Sequence, residues 1–108
     1  MPRLDLYLNY ELQASFRLER SETVLGRAVG CAVQLPDIKV SRRHAVIHAQ
    51  GDGHVIENVG VNGTRINGRA IEGRHPLQGG DTIFISNCIL VYQPDDAPVQ
   101  QMGATIIS

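Results

Sequence analysis

His54-Val55-Ile56-Glu57-Asn58-Val59-Gly60-Val61-Asn62-Gly63-Thr64-Arg65-Ile66-Asn67-Gly68 is the stretch on which the fold turns. A β-branched run, His54 to Val59, leads into two Asn-Gly pairs five residues apart. Asn-Gly is the strongest short-range hairpin signal, because both central residues of the favoured turn need positive φ. Two tight reversals are therefore expected within a β-rich segment.

Outward from this stretch the pattern repeats. Leu4, Leu6 and Leu8 alternate with polar neighbours, as in a half-buried strand. Glu11 to Arg20 has helix-forming composition, yet Leu12, Ala14, Phe16 and Leu18 recur every second residue, so it too reads as a strand. Thr23 to Leu25, Ala45 to His48, Thr82 to Ile85 and Ile89 to Tyr92 are short β-branched or aromatic runs. They are separated by the turn signals Gly51-Asp52-Gly53, Gly79-Gly80 and Ser86-Asn87. Many short strands with frequent turns and no convincing helix predict an all-β antiparallel sandwich. A parallel sheet with nucleotide sites is disfavoured, since there is no room for a crossover helix. From Pro94 the composition changes to Pro94-Asp95-Asp96-Ala97-Pro98 and Gln100-Gln101, which divides the chain into a domain over 1–93 and a flexible tail or linker over 94–108.

A chain of 108 residues is one domain. Folding at this size buries roughly two thirds of the surface, enough for a core without disulfide staples. Net charge is -1, so bulk attraction to nucleic acid or to an anionic membrane is not expected. The longest apolar run, Cys88 to Tyr92, is far short of a membrane span, and the alternating N-terminus lacks a signal peptide's apolar region. Cys31 and Cys88 are distant and lack C-x-x-C spacing, which fits a reduced, cytoplasmic protein better than a secreted scaffold.

Nine of the ten basic residues are Arg, the side chain whose planar fork matches phosphate or carboxylate with paired hydrogen bonds. Residues 27–74 hold Arg27, Lys39, Arg42, Arg43, Arg65, Arg69 and Arg74 against Asp37, Asp52, Glu57 and Glu72, so positive charge gathers mid-chain. Three constellations lie there. Gly26-Arg27 ends a strand and by itself is an ordinary glycine turn with a solvated Arg. Ser41-Arg42-Arg43-His44 brings a hydroxyl, loop amides and guanidinium groups together, a donor set suited to a doubly charged phosphate. Val61-Asn62-Gly63-Thr64 carries an Asn able to read a peptide backbone, although hairpin chemistry alone also explains it.

Enzymatic readings are weaker. Ser41 and His44 lie three apart, a spacing that puts strand residues on opposite sides, and no G-x-S-x-G elbow surrounds Ser41. His44 and His48 have helical metal-ligand spacing in a segment that reads as strand, with no acidic or Cys partner spaced to complete a site. Gly26-Arg27-Ala28-Val29-Gly30 lacks the Lys-Ser/Thr ending of a nucleotide loop. No metal and no cofactor is expected.

In their order and in an all-β chain of this length, Gly26-Arg27, Ser41-Arg42-Arg43-His44, Asn62-Gly63-Thr64 and Asn67-Gly68 resemble the forkhead-associated (FHA) domain family. The resemblance runs from about Val24 to Tyr92, with Leu4 to Leu18 fitting the family's first strands. It implies a sandwich of about eleven short strands that binds phosphothreonine peptides through loops at one end. Carried over residue by residue, Arg27 and Ser41 match the main phosphate contacts, and Arg42 a further donor. Asn62 matches the residue that hydrogen-bonds the peptide main chain, and Lys39 one that reads a nearby peptide residue. Gly26, His44, Gly63, Thr64, Asn67 and Gly68 are architectural. One departure stands out: many members place Ser or Thr just before the Asn-Gly-Thr turn, where this chain has Gly60 and Val61. A donor lost from a charge-assisted network costs about 1.5 to 3 kcal/mol, which Arg42 and Arg43 would offset.

The sequence thus predicts a non-catalytic phosphothreonine-dependent binding module in Ser/Thr kinase signalling. Its partner would be a phosphothreonine-containing protein, such as a kinase or its substrate. The alternative is phosphate-independent docking, suggested by Gly60 and Val61, and a hydrolase using Ser41 and His44 is remote. In the tail, Thr105 or Ser108 is a candidate kinase target. Phosphorylated Thr105 would reach the chain's own pocket, or a second copy's, at high effective concentration.

Overall fold

A computed structural model of the chain describes residues 2–94. The alternating N-terminal leucines form β1 (Arg3–Leu8), which reverses at Asn9 and Tyr10, both with positive φ, into β2 (Glu11–Arg17). There follow β3 (Glu22–Gly26), β4 (Val33–Gln34), β5 (Ala45–Gln50), β6 (Gly53–Asn58), β7 (Arg65–Ile66), β8 (Arg69–Ala70), β9 (Arg74–Pro76), β10 (Thr82–Ile85) and β11 (Cys88–Gln93). They make a six-stranded sheet, β2-β1-β11-β10-β7-β8, and a five-stranded sheet, β4-β3-β5-β6-β9. The eleven-strand all-β sandwich expected from the sequence is what the chain forms. Pairing is antiparallel except for a two-residue parallel contact of β3 with β4, Leu25 opposite Val33 and Gly26 opposite Gln34. So short a contact needs only the loop 27–32 as its connection. No helix among the described residues is long and apolar enough to cross a membrane.

Two local expectations change. Leu12 does not continue the buried face of Ala14 and Phe16 but is exposed. The β1–β2 register steps from Leu6–Ala14 to Tyr7–Leu12, leaving Gln13 as a bulge, and the extra residue turns Leu12 to the outer side. Of the two Asn-Gly pairs, only Asn67-Gly68 closes a hairpin, with φ of 53° and 88° and β7 paired to β8 across it. At Asn62-Gly63 only Gly63 has positive φ, and the flanking strands β6 and β7 belong to different sheets. That turn is a crossover between layers, which leaves its side chains free for other work.

The core lies between the sheets, with Leu4, Leu25, Val33, Leu35, Ala45, Ile47, Ile56, Ile83, Ile85 and Leu90 essentially inaccessible. A buried polar contact joins the two sheets: His54 Nδ1 of β6 meets the Tyr92 hydroxyl of β11 at 2.8 Å, with the rings edge to face. Burial holds the His54 imidazole below the ordinary histidine range of about 6.5. The folded state therefore binds fewer protons than the unfolded one just below pH 6.5, so this contribution to stability is complete above that value and is lost as pH falls through the folded value. Thermal melts between pH 7.5 and 5.5 should show a falling midpoint, with a shallower fall in His54→Phe; an unchanged slope in the variant would contradict this.

Strand directions bring the loops 27–32, 35–44 and 59–64 to one end of the sandwich. The Ser86-Asn87 turn joins them, because Asp37 accepts from the Lys39 amide at 2.9 Å, the Ser86 hydroxyl at 2.8 Å and the Asn87 amide at 3.4 Å. Those donors, the Lys39 amide foremost, hold the Asp37 carboxyl below the usual carboxylate range. Both sheets are thereby tied to the loop that carries Ser41.

Candidate functional site

Arg27 is the first residue after β3. Its amide donates to the Ser41 carbonyl at 3.0 Å and its Nε to the Val40 carbonyl at 3.1 Å. With Nε engaged, the guanidinium is held at one point, and no hydrogen bond among the described residues uses its two terminal nitrogens. The close approach that makes this possible is at Gly26, where a Cβ would run into the Arg42 carbonyl. Glycine is required there by space, not by φ.

His44 organises the other two loops. It is fully buried, its amide donates to the Leu25 carbonyl at 2.8 Å, and its carbonyl accepts from Val59 and Gly60, each at 2.9 Å. The ring spans the loops: Nδ1 accepts from the Ser41 amide at 3.0 Å, so Nε2 carries the proton and donates to the Gly63 carbonyl at 2.7 Å. Both nitrogens are thus committed to backbone. Neither serves the Ser41 hydroxyl as a base, as a Ser-His nucleophile requires.

Ser41 Oγ instead accepts from the Val61 amide at 3.1 Å, which leaves its own proton free to be donated. Asn62 Nδ2 donates to the Lys39 carbonyl at 2.7 Å, leaving Asn62 Oδ1 free to accept from a peptide N–H. Arg27, Ser41 and Asn62 are therefore brought together on one hydrogen-bonded loop platform. Lys39 and Arg42 stand at its rim with exposed side chains. Among the described residues no carboxylate pairs with Arg27, Lys39, Arg42 or Arg43. The nearby acid, Asp37, has both oxygens occupied by the donors above. The result, among the described residues, is a cluster of donors that no carboxylate neutralises.

Thr64, buried, donates from Oγ1 to Asn58 Oδ1 at 2.8 Å, and Asn58 Nδ2 donates to the Gly60 carbonyl at 3.2 Å. Asn58 thus latches the 59–64 loop, and so it belongs with the architectural residues although no pattern in the sequence marked it. Asn67 and Gly68 serve elsewhere: Asn67 exchanges side-chain bonds with Asp81 and Thr82, pinning the β7–β8 hairpin to β10. His48 meets Glu57 at 2.9 Å and is not joined to His44. Cys31 and Cys88 are free thiols, and burial pushes Cys88 up to about 11. Thr105 and Ser108 lie outside the described residues.

The departure at Gly60 and Val61 has a steric side. A Cβ on Gly60 would lie 2.8 Å from the His44 ring, whereas Val61 points into solvent. The missing hydroxyl therefore could not be carried at Gly60 without moving His44. Gly60→Ser is expected to cost about 1 to 3 kcal/mol by overpacking, read as a lowered melting temperature; a neutral result would show that the ring yields.

A β-sandwich whose strands form the scaffold, and whose loops at one end hold a cluster of hydrogen-bond donors and cations, is the class that fold and site define. The FHA domain family model matches residues 23–86, and the chain belongs to the FHA domain family. It is similar to proteins called oxoglutarate dehydrogenase inhibitor, 37% identical over 78 residues in Corynebacterium jeikeium and 36% over 80 in Corynebacterium diphtheriae. These matches cover 71% and 73% of this chain but 54% and 55% of those proteins, so the chain spans about half their length. Among solved structures, Mycobacterium tuberculosis EmbR in complex with a low-affinity phosphopeptide superposes with a TM-score of 0.80 at 25% identity, over 91% of this chain and 26% of that one. An FHA domain from Chlamydia trachomatis gives 0.80 at 23% identity, over 89% and 98%, a likeness of fold.

Proposed function

We propose that this chain is a non-catalytic, cytoplasmic binding module that recognises phosphothreonine in a partner protein of a Ser/Thr kinase pathway. The observation that carries the reading is the convergence of three free valences on one rigid platform: the Arg27 fork, the Ser41 hydroxyl proton and Asn62 Oδ1. A phosphate monoester brings close to two negative charges and three acceptor oxygens, and needs donors without competing carboxylates. Arg27 and Ser41 take the phosphate, Arg42 adds charge from the rim, Asn62 holds the peptide main chain, and Lys39 favours an acidic residue nearby in the peptide. Threonine is preferred over serine if its methyl is buried, worth about 1 to 3 kcal/mol.

Calorimetric titration with a phosphothreonine peptide library and its unphosphorylated and phosphoserine counterparts tests this directly. Binding only of the phosphorylated forms is expected; equal binding of the unphosphorylated set would replace the proposal with phosphate-independent docking, which the apolar Val61 at the rim favours. Release of inorganic phosphate from the peptide would restore an enzymatic reading. Phosphorylated Thr105 would supply the same ligand from the chain itself, and mass spectrometry that finds Thr105 unmodified after incubation with a threonine kinase would remove that route.

A further inference from the structure

The large apolar side chains left exposed are Tyr10, Leu12, Val29, Ile38, Val59 and Val61. Single exposed hydrophobics are ordinary on a protein surface. Their distribution here is not, because all six lie at the loop end of the sandwich. Tyr10 and Leu12 are there because Leu8, at the mouth of their hairpin, pairs with Cys88 beside the Ser86-Asn87 turn that Asp37 holds. Val29, Ile38, Val59 and Val61 are on the loops that carry or border Arg27, Ser41 and Asn62. The opposite end, formed by residues 18–21, 51–52 and 77–81, exposes no large hydrophobic among the described residues.

The three most exposed of the six are also the ones closest in the chain to the donors. Val29 is 85% exposed and two residues from Arg27, Ile38 is 88% exposed and next to Lys39, and Val61 is 91% exposed between Gly60 and Asn62. Their loops are bonded to one another: Ala28 to Arg42, Asn62 to Lys39, and Val61 through its amide to Ser41. The three side chains therefore stand exposed on the same bonded loops as Arg27, Lys39 and Arg42. Packing inside the molecule does not explain why aliphatic rather than polar residues stand at these positions.

We propose that this end is a composite docking surface, an aliphatic ring around a basic centre, and that the partner it fits presents a phosphothreonine flanked by large aliphatic side chains. This rests on the phosphothreonine reading for its centre, and adds what the rim selects. Charge complementarity sets the centre of the partner, and burial of apolar area supplies the selectivity around it. The occupant is then a segment both anionic and aliphatic, in contrast to the acidic, polar segment that Lys39 alone would favour.

The test compares two phosphothreonine peptides of equal length and charge, one with Ile or Leu on both sides of the phosphothreonine and one with Ser at those positions, together with their unphosphorylated forms. Each is titrated against the wild-type chain, a Val29→Ala/Ile38→Ala/Val61→Ala variant and Arg27→Ala. The wild type should bind the aliphatic phosphopeptide about tenfold tighter than the serine one. The triple variant should lose that preference while binding the serine phosphopeptide as the wild type does, its melting temperature showing that it is folded. Equal wild-type affinities, or a preference that survives in the triple variant, overturns the proposal. Failure of the phosphothreonine reading looks different: phosphorylation and Arg27→Ala change nothing, and the aliphatic-to-serine ratio of the unphosphorylated peptides then decides the ring by itself. Concentration-dependent self-association of the wild type in analytical ultracentrifugation, abolished in the triple variant, would assign the ring to a second copy and overturn the proposal as well.

Discussion

Replacing Arg27 by Ala should weaken binding of a phosphothreonine peptide by about a hundredfold, while Arg42→Ala should weaken it only a few-fold and in a salt-dependent way. The two residues carry the same charge, so the difference is geometric. Arg27 Nε is spent on the Val40 carbonyl, and its backbone on Ser41, so the guanidinium is held before any ligand arrives. Two charge-assisted hydrogen bonds from a preorganised fork are worth about 3 kcal/mol together, the hundredfold expected. Arg42 is exposed and unheld, and loses side-chain entropy on engagement, which limits such rim contacts to about 1 kcal/mol or less. Arg27→Lys should behave nearly as badly as Arg27→Ala, since an ammonium cannot both reach Val40 and present a fork. Calorimetry with one phosphopeptide at two salt concentrations reads all three variants, and equal losses at Arg27 and Arg42 would mean that preorganisation is not what the site uses.

Gly26→Ala should damage both stability and binding. The added Cβ would sit 2.8 Å from the Arg42 carbonyl carbon and 3.1 Å from Arg43 Cα, contacts with backbone that has no rotamer into which to retreat. The loop must move, and it is the loop that accepts from Arg27 and Ala28 and carries Ser41. Overpacking against backbone is expected to cost about 3 kcal/mol or more, a fall of roughly 10 to 20 °C in the melting temperature. Phosphopeptide affinity should drop even well below that temperature, because the Arg27–Ser41 spacing is set by the same contact. A Gly26→Ala protein with normal melting and normal affinity would show that the closeness of β3 to the 41–43 backbone is not needed.

Much of this was legible in the residues. Period-two alternation and frequent turn signals were enough for an all-β sandwich, since strands are specified by local pattern. The order of Gly26-Arg27, Ser41, His44 and Asn62 was enough for the family resemblance. What escaped had a long-range cause. The bulge at Gln13 exposes Leu12 through its partner strand, and the Asn62-Gly63 turn failed to be a hairpin because β6 and β7 join different sheets. Asn58 as a latch depends on Thr64 folding back onto it, and Asp37 as a tether depends on Ser86, 49 residues away.

By itself, then, the sequence determined the all-β class and the longer strands, the inventory of donors and the excess of positive charge between residues 27 and 74, all properties of residue type and short-range order. Only the tertiary structure decided which donors are spent and which remain. His44 has no free nitrogen, Ser41 keeps its proton, Arg27 keeps its fork and Gly60 has no room for a hydroxyl. Each of those follows from a partner contributed by a distant loop, because a hydrogen bond consumes a donor or an acceptor only where the chain brings its other half within about 3 Å.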